Sequence, residues 1–189
     1  MKKVSMIVAF FLLTFFAANG QGNVQFGVTG GLINGSGDIS IAGINIGNIL
    51  QNIDVDVLNG TGFFVGVLVD IEATDRLHVQ PELLYAGIGD EGAILIPVMA
   101  KYYVVESFNI QAGPQLDYVL NIPDLAEPLV KEVGLSLGIG AGYDINNQFA
   151  VQAKYTFGIT DRLDSAVNNI LSSSLKIDTF QIGVVYKFN

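Results

Sequence analysis

From Val24 to the end of the chain, apolar residues recur at every second position in segments of about ten residues, the periodicity of strands with one apolar face. The segments are Val24–Ile33, Phe63–Ile71, Leu77–Tyr85, Ile94–Val104, Phe108–Tyr118, Val133–Tyr143, Phe149–Ile159 and Phe180–Phe188. In Phe108–Tyr118, Phe108, Ile110, Ala112, Pro114, Leu116 and Tyr118 alternate with Asn109, Gln111, Gly113, Gln115 and Asp117. Ten residues is also what a tilted strand needs to cross the hydrocarbon of a bilayer. Eight is an even number, as closure with both termini on one side requires.

Alternation alone fits a soluble sandwich or a membrane barrel, since either buries one face of each strand. Two features favour the barrel. The second face is poor in charge and rich in Gly, Gln, Thr and Ser, small groups suited to a narrow lumen. Aromatics collect near the segment ends (Phe63, Tyr85, Tyr102, Tyr103, Phe108, Tyr118, Tyr143, Phe149, Tyr155, Phe157, Phe180, Tyr186 and Phe188), as interfacial girdles require.

Connection lengths then orient the barrel. Ala73–Arg76, Val105–Ser107 and Asp144–Asn147 are tight, whereas Ser36–Gly60, Asn121–Glu132 and Thr160–Lys176 are long, and Gly89–Gly92 is the compact exception. Membrane barrels keep short turns in the periplasm and long loops outside, which puts both termini in the periplasm. The long connections carry apolar residues of their own. Ile39, Ile41, Ile44, Ile46, Ile49, Leu50, Ile53, Val55 and Val57 lie in the first, and Leu163, Val167, Ile170, Leu171 and Leu175 have the spacing of a short amphipathic helix over 161–175. Either strands extend past the membrane and these residues cap the mouth, or they dock a partner.

The N-terminus predicts export. Lys2 and Lys3 precede the apolar stretch Met6–Phe16 and the small-residue segment Ala17–Gly20, the layout of a signal peptide over 1–20 cleaved before Gln21. Residues 21–189 then form one outer-membrane barrel domain. Half of the residues are hydrophobic and only 14% charged, yet no apolar run of a membrane-spanning helix appears after the leader. The chain has no cysteine, which excludes a lipoprotein anchor and disulfides. Net charge is −9, and −11 once Lys2 and Lys3 are removed, which argues against nucleic acid.

The charges divide between the rim and the lumen. Asp38, Asp54, Asp56, Asp90, Glu91, Asp124, Glu127, Glu132, Asp161 and Asp164, against Lys131 and Arg162, give the outer loops an acidic rim, with no spacing that defines a calcium loop. Asp70, His78, Glu82, Lys101, Asp117, Lys154 and Lys187 face inward and are expected to form a lumen polar network, because charges in a narrow lumen must pair or meet water. A serine-type enzyme needs a histidine beside a hydroxyl nucleophile, and the one histidine, His78, follows a short turn, at the wrong end for outer-leaflet lipid. The expectation is an all-β, eight-stranded antiparallel up-and-down transmembrane barrel without catalysis, metal or cofactor. Its role is structural or interaction-based, through acidic extracellular loops. The alternative is a narrow porin-like channel or an accessory to protein secretion across the outer membrane.

Several stretches carry a family resemblance: QPELLYAGIG at Gln80–Gly89, IPVMAKYY at Ile96–Tyr103, QAGPQL at Gln111–Leu116, GAGYDI at Gly140–Ile145 and the terminal QIGVVYKFN. With them the mature chain resembles the PorT-like outer-membrane β-barrel family of Bacteroidota. The resemblance implies an eight-stranded barrel in the Gram-negative outer membrane and transfers no catalytic residue. Tyr186 and Phe188 resemble the C-terminal signal read by the barrel-assembly machinery, although Asn189 follows the phenylalanine. Outer-membrane lipids, that machinery and a secretion or envelope protein are the partners these readings imply.

Overall fold

The computed structural model describes residues 24–41, 44–45, 60–89, 91–120, 131–162 and 173–188. The strands are β1 (Val24–Ile41), β2 (Ile44–Asn45), β3 (Gly60–Thr74), β4 (Leu77–Ile88), β5 (Glu91–Val105), β6 (Phe108–Val119), β7 (Val133–Asp144), β8 (Phe149–Gly158) and β9 (Ser173–Lys187). Each of β3–β8 pairs antiparallel with the next, and β1 pairs with both β3 and β9, which closes the barrel. β2 pairs only with the end of β1 and takes no part in closure, so eight strands form the wall. Closure pairs every wall strand on both sides, so the wall has no free edge strand.

The period of two sets which way each side chain faces. Phe26, Leu32, Val65, Val67, Leu83, Ile110, Leu137, Ile139, Phe157, Ile182 and Val184 point outward and are exposed, forming an apolar belt around the barrel. The alternate positions point inward and are buried. Of the expected girdle aromatics Tyr103 is the exception: it is buried in the lumen, where its hydroxyl donates to Asp144 Oδ2 at 2.8 Å.

The turns between β3 and β4 and between β5 and β6 span two residues each, and that between β7 and β8 four. Thr74 Oγ1 accepts from the backbone N–H of Leu77, and Asn146 Oδ1 from those of Gln148 and Phe149. These side chains satisfy turn donors that the ladder leaves over. At the opposite end the structure corrects two sequence readings. Ser36–Ile41 is strand and not loop, because it pairs residue for residue with Ser173–Asp178 and the two segments satisfy each other's backbone beyond the rest of the wall. Ser173–Leu175 is likewise strand where helical spacing was expected, and the remainder of that helix, 163–172, lies outside the described residues. So do 46–59, with the apolar residues from Ile46 to Val57, and the acidic Asp54, Asp56, Asp90, Asp124, Glu127 and Asp164.

Inside, the end carrying the long connections is apolar on one side. Ile33, Phe64, Leu84, Ala86, Ile88, Ala93, Leu95, Val119 and Ile177 form one buried cluster contributed by β1, β3, β4, β5, β6 and β9. This layer is packed, so small losses of volume should register. Ile33→Val is expected to lower stability by about 1 kcal/mol in urea titration of the refolded protein.

Candidate functional site

The polar lumen residues gather below the apolar layer, toward the short turns. Asp70 of β3 is the hub. Its Oδ1 lies 2.8 Å from His78 Nδ1, and its Oδ2 lies 3.1 Å from Lys101 Nζ and 2.9 Å from Lys187 Nζ. Lys187 also stands 3.8 Å from Asp144 Oδ2. The His78 ring packs on Tyr103 with centroids 4.7 Å apart.

One layer further in, Lys154 Nζ donates to Glu82 Oε2 at 2.7 Å, with both side chains almost wholly buried. β4 and β8 are the third and seventh of the eight wall strands, so this pair crosses the lumen along its diameter. Gln80 Nε2 spans the same gap to Gln152 Oε1 at 3.3 Å. Gln80 also donates to Glu82 Oε1 at 2.7 Å and accepts from Lys101 at 2.9 Å, which ties the cross-brace to the Asp70 hub. A buried charge without a partner is costly, so each member of this network holds the others in place.

Asp117 stands apart from this network. It lies toward the long connections, where Ser136 and Gln115 each donate to it at 2.7 Å and Arg162 Nη2 lies 3.0 Å away. Arg162, expected on the acidic rim, is buried: its backbone N–H donates to Leu175 O, and its guanidinium also donates to Glu132 O. Burial pulls the guanidinium pKa below its ordinary value while Asp117 opposes that shift. Gly134 makes the space, since a Cβ there would overlap the Arg162 guanidinium. The seven sequence-predicted lumen residues therefore fall into one connected group of six (Asp70, His78, Glu82, Lys101, Lys154 and Lys187) and the separate Asp117. Tyr186 and Phe188 lie on the outer surface, where their rings meet edge-on at 5.5 Å.

The lumen opens at the short-turn end into a pocket of about 710 Å³, lined by Gln25, Arg76, His78, Tyr103, Asp144 and Lys187 with the turn residues around them. Sequence reasoning missed Arg162 and Asp144 as members of the interior, whereas the alternation in Ile94–Val104 already placed Tyr103 inward. Among the described residues no group of three or more His, Asp or Glu side chains is arranged to hold a metal ion.

A closed antiparallel barrel with an apolar belt outside and an ion-paired, filled interior is a membrane β-barrel. The model of the outer membrane protein beta-barrel domain family matches residues 7–188, and the chain belongs to that family, which indicates the outer membrane as its location. Solved structures resemble it at low identity. Neisserial surface protein A is 13% identical with a TM-score of 0.50, over 88% of this chain and 99% of that one. The attachment invasion locus protein of Yersinia pestis is 15% identical with a TM-score of 0.46, over 87% and 98%. The N-terminal β-barrel domain of Pseudomonas aeruginosa OprF is 15% identical with a TM-score of 0.46, over 89% and 100%. At these identities only the fold is compared, and only the first reaches a score that supports it. A comparison with curated proteins finds no match.

Proposed function

We propose that the protein is a non-catalytic outer-membrane barrel of structural or interaction type, closed to solutes. Its short turns and termini face the periplasm and its long acidic connections face outward, after removal of residues 1–20. The observation that carries this reading is the Lys154–Glu82 pair across the lumen diameter, with the apolar layer above it. Side chains are expected to fill the interior of a barrel this narrow, which supports a closed lumen. Planar-bilayer recording of the purified protein tests it. Silence is expected, and large steady openings would overturn the closed-lumen reading in favour of the porin-like alternative.

The quoted strand motifs support placement in the PorT-like branch, and the outward Tyr186 and Phe188 support a role for the last strand in assembly. Deleting residues 188–189 removes the ladder bond from Phe188 N–H to Phe26 O, 2.7 Å long, at the seam where the barrel closes. Less heat-modifiable barrel should then reach the outer membrane, and an undiminished yield would count against the assembly role. An accessory to secretion should retain a defined partner on native pull-down, whereas a stand-alone barrel should not.

A further inference from the structure

Three of the chain's five prolines stand in the wall: Pro81 in β4, Pro97 in β5 and Pro114 in β6. A proline has no N–H to give to a ladder, so it is ordinarily confined to edge strands and bulges. This wall has no edge, and each proline coincides with a gap in the pairing. Between β3 and β4 the pairs run from Gly62↔Ile88 to Leu68↔Glu82 and resume at Ile71↔Val79, which omits Val69 and Asp70 opposite Pro81 and Gln80. Between β4 and β5 they omit Glu82 and Leu83 opposite Pro97 and Ile96. Between β5 and β6 they omit Val98 and Met99 opposite Pro114 and Gly113. The register is the same on both sides of each gap, so the strands stay side by side and only bonds are missing. The other five seams of the wall carry no such gap. In hydrocarbon no water replaces a missing ladder bond, so this side of the wall needs another tie.

Side chains supply one at two of the three gaps. Lys101 of β5 donates to Asp70 Oδ2 of β3 at 3.1 Å and to Gln80 Oε1 of β4 at 2.9 Å. Asp70 and Gln80 are the very residues that the first gap leaves unpaired with each other. Asp70 also lies 2.8 Å from His78 Nδ1 on β4. The amide of Gln80 goes on to Glu82 Oε1 at 2.7 Å, beside the second gap. Asp70, Gln80, Glu82 and Lys101 are each at most 3% exposed, so these bonds are shielded from competing water. At the third gap the inward residues are Met99 and Gly113, which carry no group able to bridge the strands.

We propose that this network is a clasp on the wall, with Lys101 as the group that holds it shut. By joining β3, β4 and β5 from the inside, Lys101 substitutes for the ladder bonds that Pro81 and Pro97 remove. Releasing it loosens the wall between β3 and β5 while the uninterrupted seams stay paired. The device couples charge pairing in the lumen to the lateral integrity of the barrel. It goes beyond the closed, structural reading, because silence in planar bilayers says nothing of how the seams are held.

Hydrogen exchange of the refolded full chain in micelles, read strand by strand by mass spectrometry, tests the proposal with Lys101→Met. Asp70 keeps Lys187 at 2.9 Å in that variant, so its charge stays paired. Exchange in β3–β5 should rise about tenfold while that in β7 and β8 changes by less than about twofold. Pro81→Val returns an N–H to the first gap, so in its background Lys101→Met should raise exchange by no more than about threefold. Pro114→Val returns one at the gap without a clasp and should leave the full effect of Lys101→Met in place. A rise spread evenly over the barrel would overturn the proposal, as would no rise at all or the same response in the two proline backgrounds. If Lys101→Met does not refold, Gln80→Met frees β4 from the same lysine and is read against the same outcomes.

Discussion

Lys154→Met is expected to destabilise the folded barrel by about 3–5 kcal/mol, the usual cost of leaving one member of a buried ion pair alone. The ammonium of Lys154 lies 2.7 Å from Glu82 Oε2, both groups are shielded from solvent, and no other cation contacts Glu82 among the described residues. Gln80 donates to the other carboxylate oxygen, which supports the negative charge without neutralising it. Adding Glu82→Leu to Lys154→Met should recover most of the loss, because exchanging a buried pair for apolar groups of similar volume is often neutral or better. Urea titration in detergent micelles, followed by the heat-modifiable shift on gels, measures both variants. A loss below about 1 kcal/mol in the single variant would mean that Glu82 reaches water and that the lumen is not sealed at this layer.

Gly31→Ala should be more damaging than its one added methyl suggests. Gly31 lies at the closing seam, paired with Phe64 of β3 on one side and Gly183 of β9 on the other. A Cβ there would fall on the carbonyl oxygen of Ile182 and on Gly183 Cα, backbone atoms that cannot rotate away. Relief would require β9 to shift just where the barrel closes, so a loss above about 3 kcal/mol is expected, among the larger effects of single substitutions. Gly138→Ala is the control. The added methyl meets Met99 and Thr156 at 3.4 Å, an ordinary contact with side-chain atoms, and should change stability by no more than about 1 kcal/mol. Equal effects at the two sites would show that the close approach at the seam is not what demands glycine.

The wall was legible in the sequence because its determinant is local. Which face a residue such as Gln111 or Ile110 takes depends only on its place in an alternating run, and both faces follow that rule in the structure. The interior was legible by membership but not by pairing. Asp70, Glu82 and Asp117 faced Lys101, Lys154 and Lys187 in equal number, so no missing cation was apparent. Asp70 takes two of the lysines, which leaves Asp117 in need of a fourth cation, Arg162, from a segment that reads as a loop. What carries Arg162 inward is backbone pairing with Leu175 and Lys131, a long-range fact without a periodic trace. The apolar layer was hidden for a related reason. Phe64, Leu84 and Leu95 each stand at inward positions, but only the register across β3, β4 and β5 gathers them into one cluster.

The central claim is that the outward face of these strands meets lipid while the interior stays closed. The chain contains no tryptophan, so a single introduced one reports its own surroundings. Leu137 lies outward near the middle of β7, and Ile145 is exposed in the turn beyond its end. With the refolded protein in vesicles containing brominated acyl chains, Leu137→Trp should emit at short wavelength and be strongly quenched, whereas Ile145→Trp should be quenched little. Water-like, unquenched emission from Leu137→Trp in the folded protein would contradict a membrane-spanning barrel.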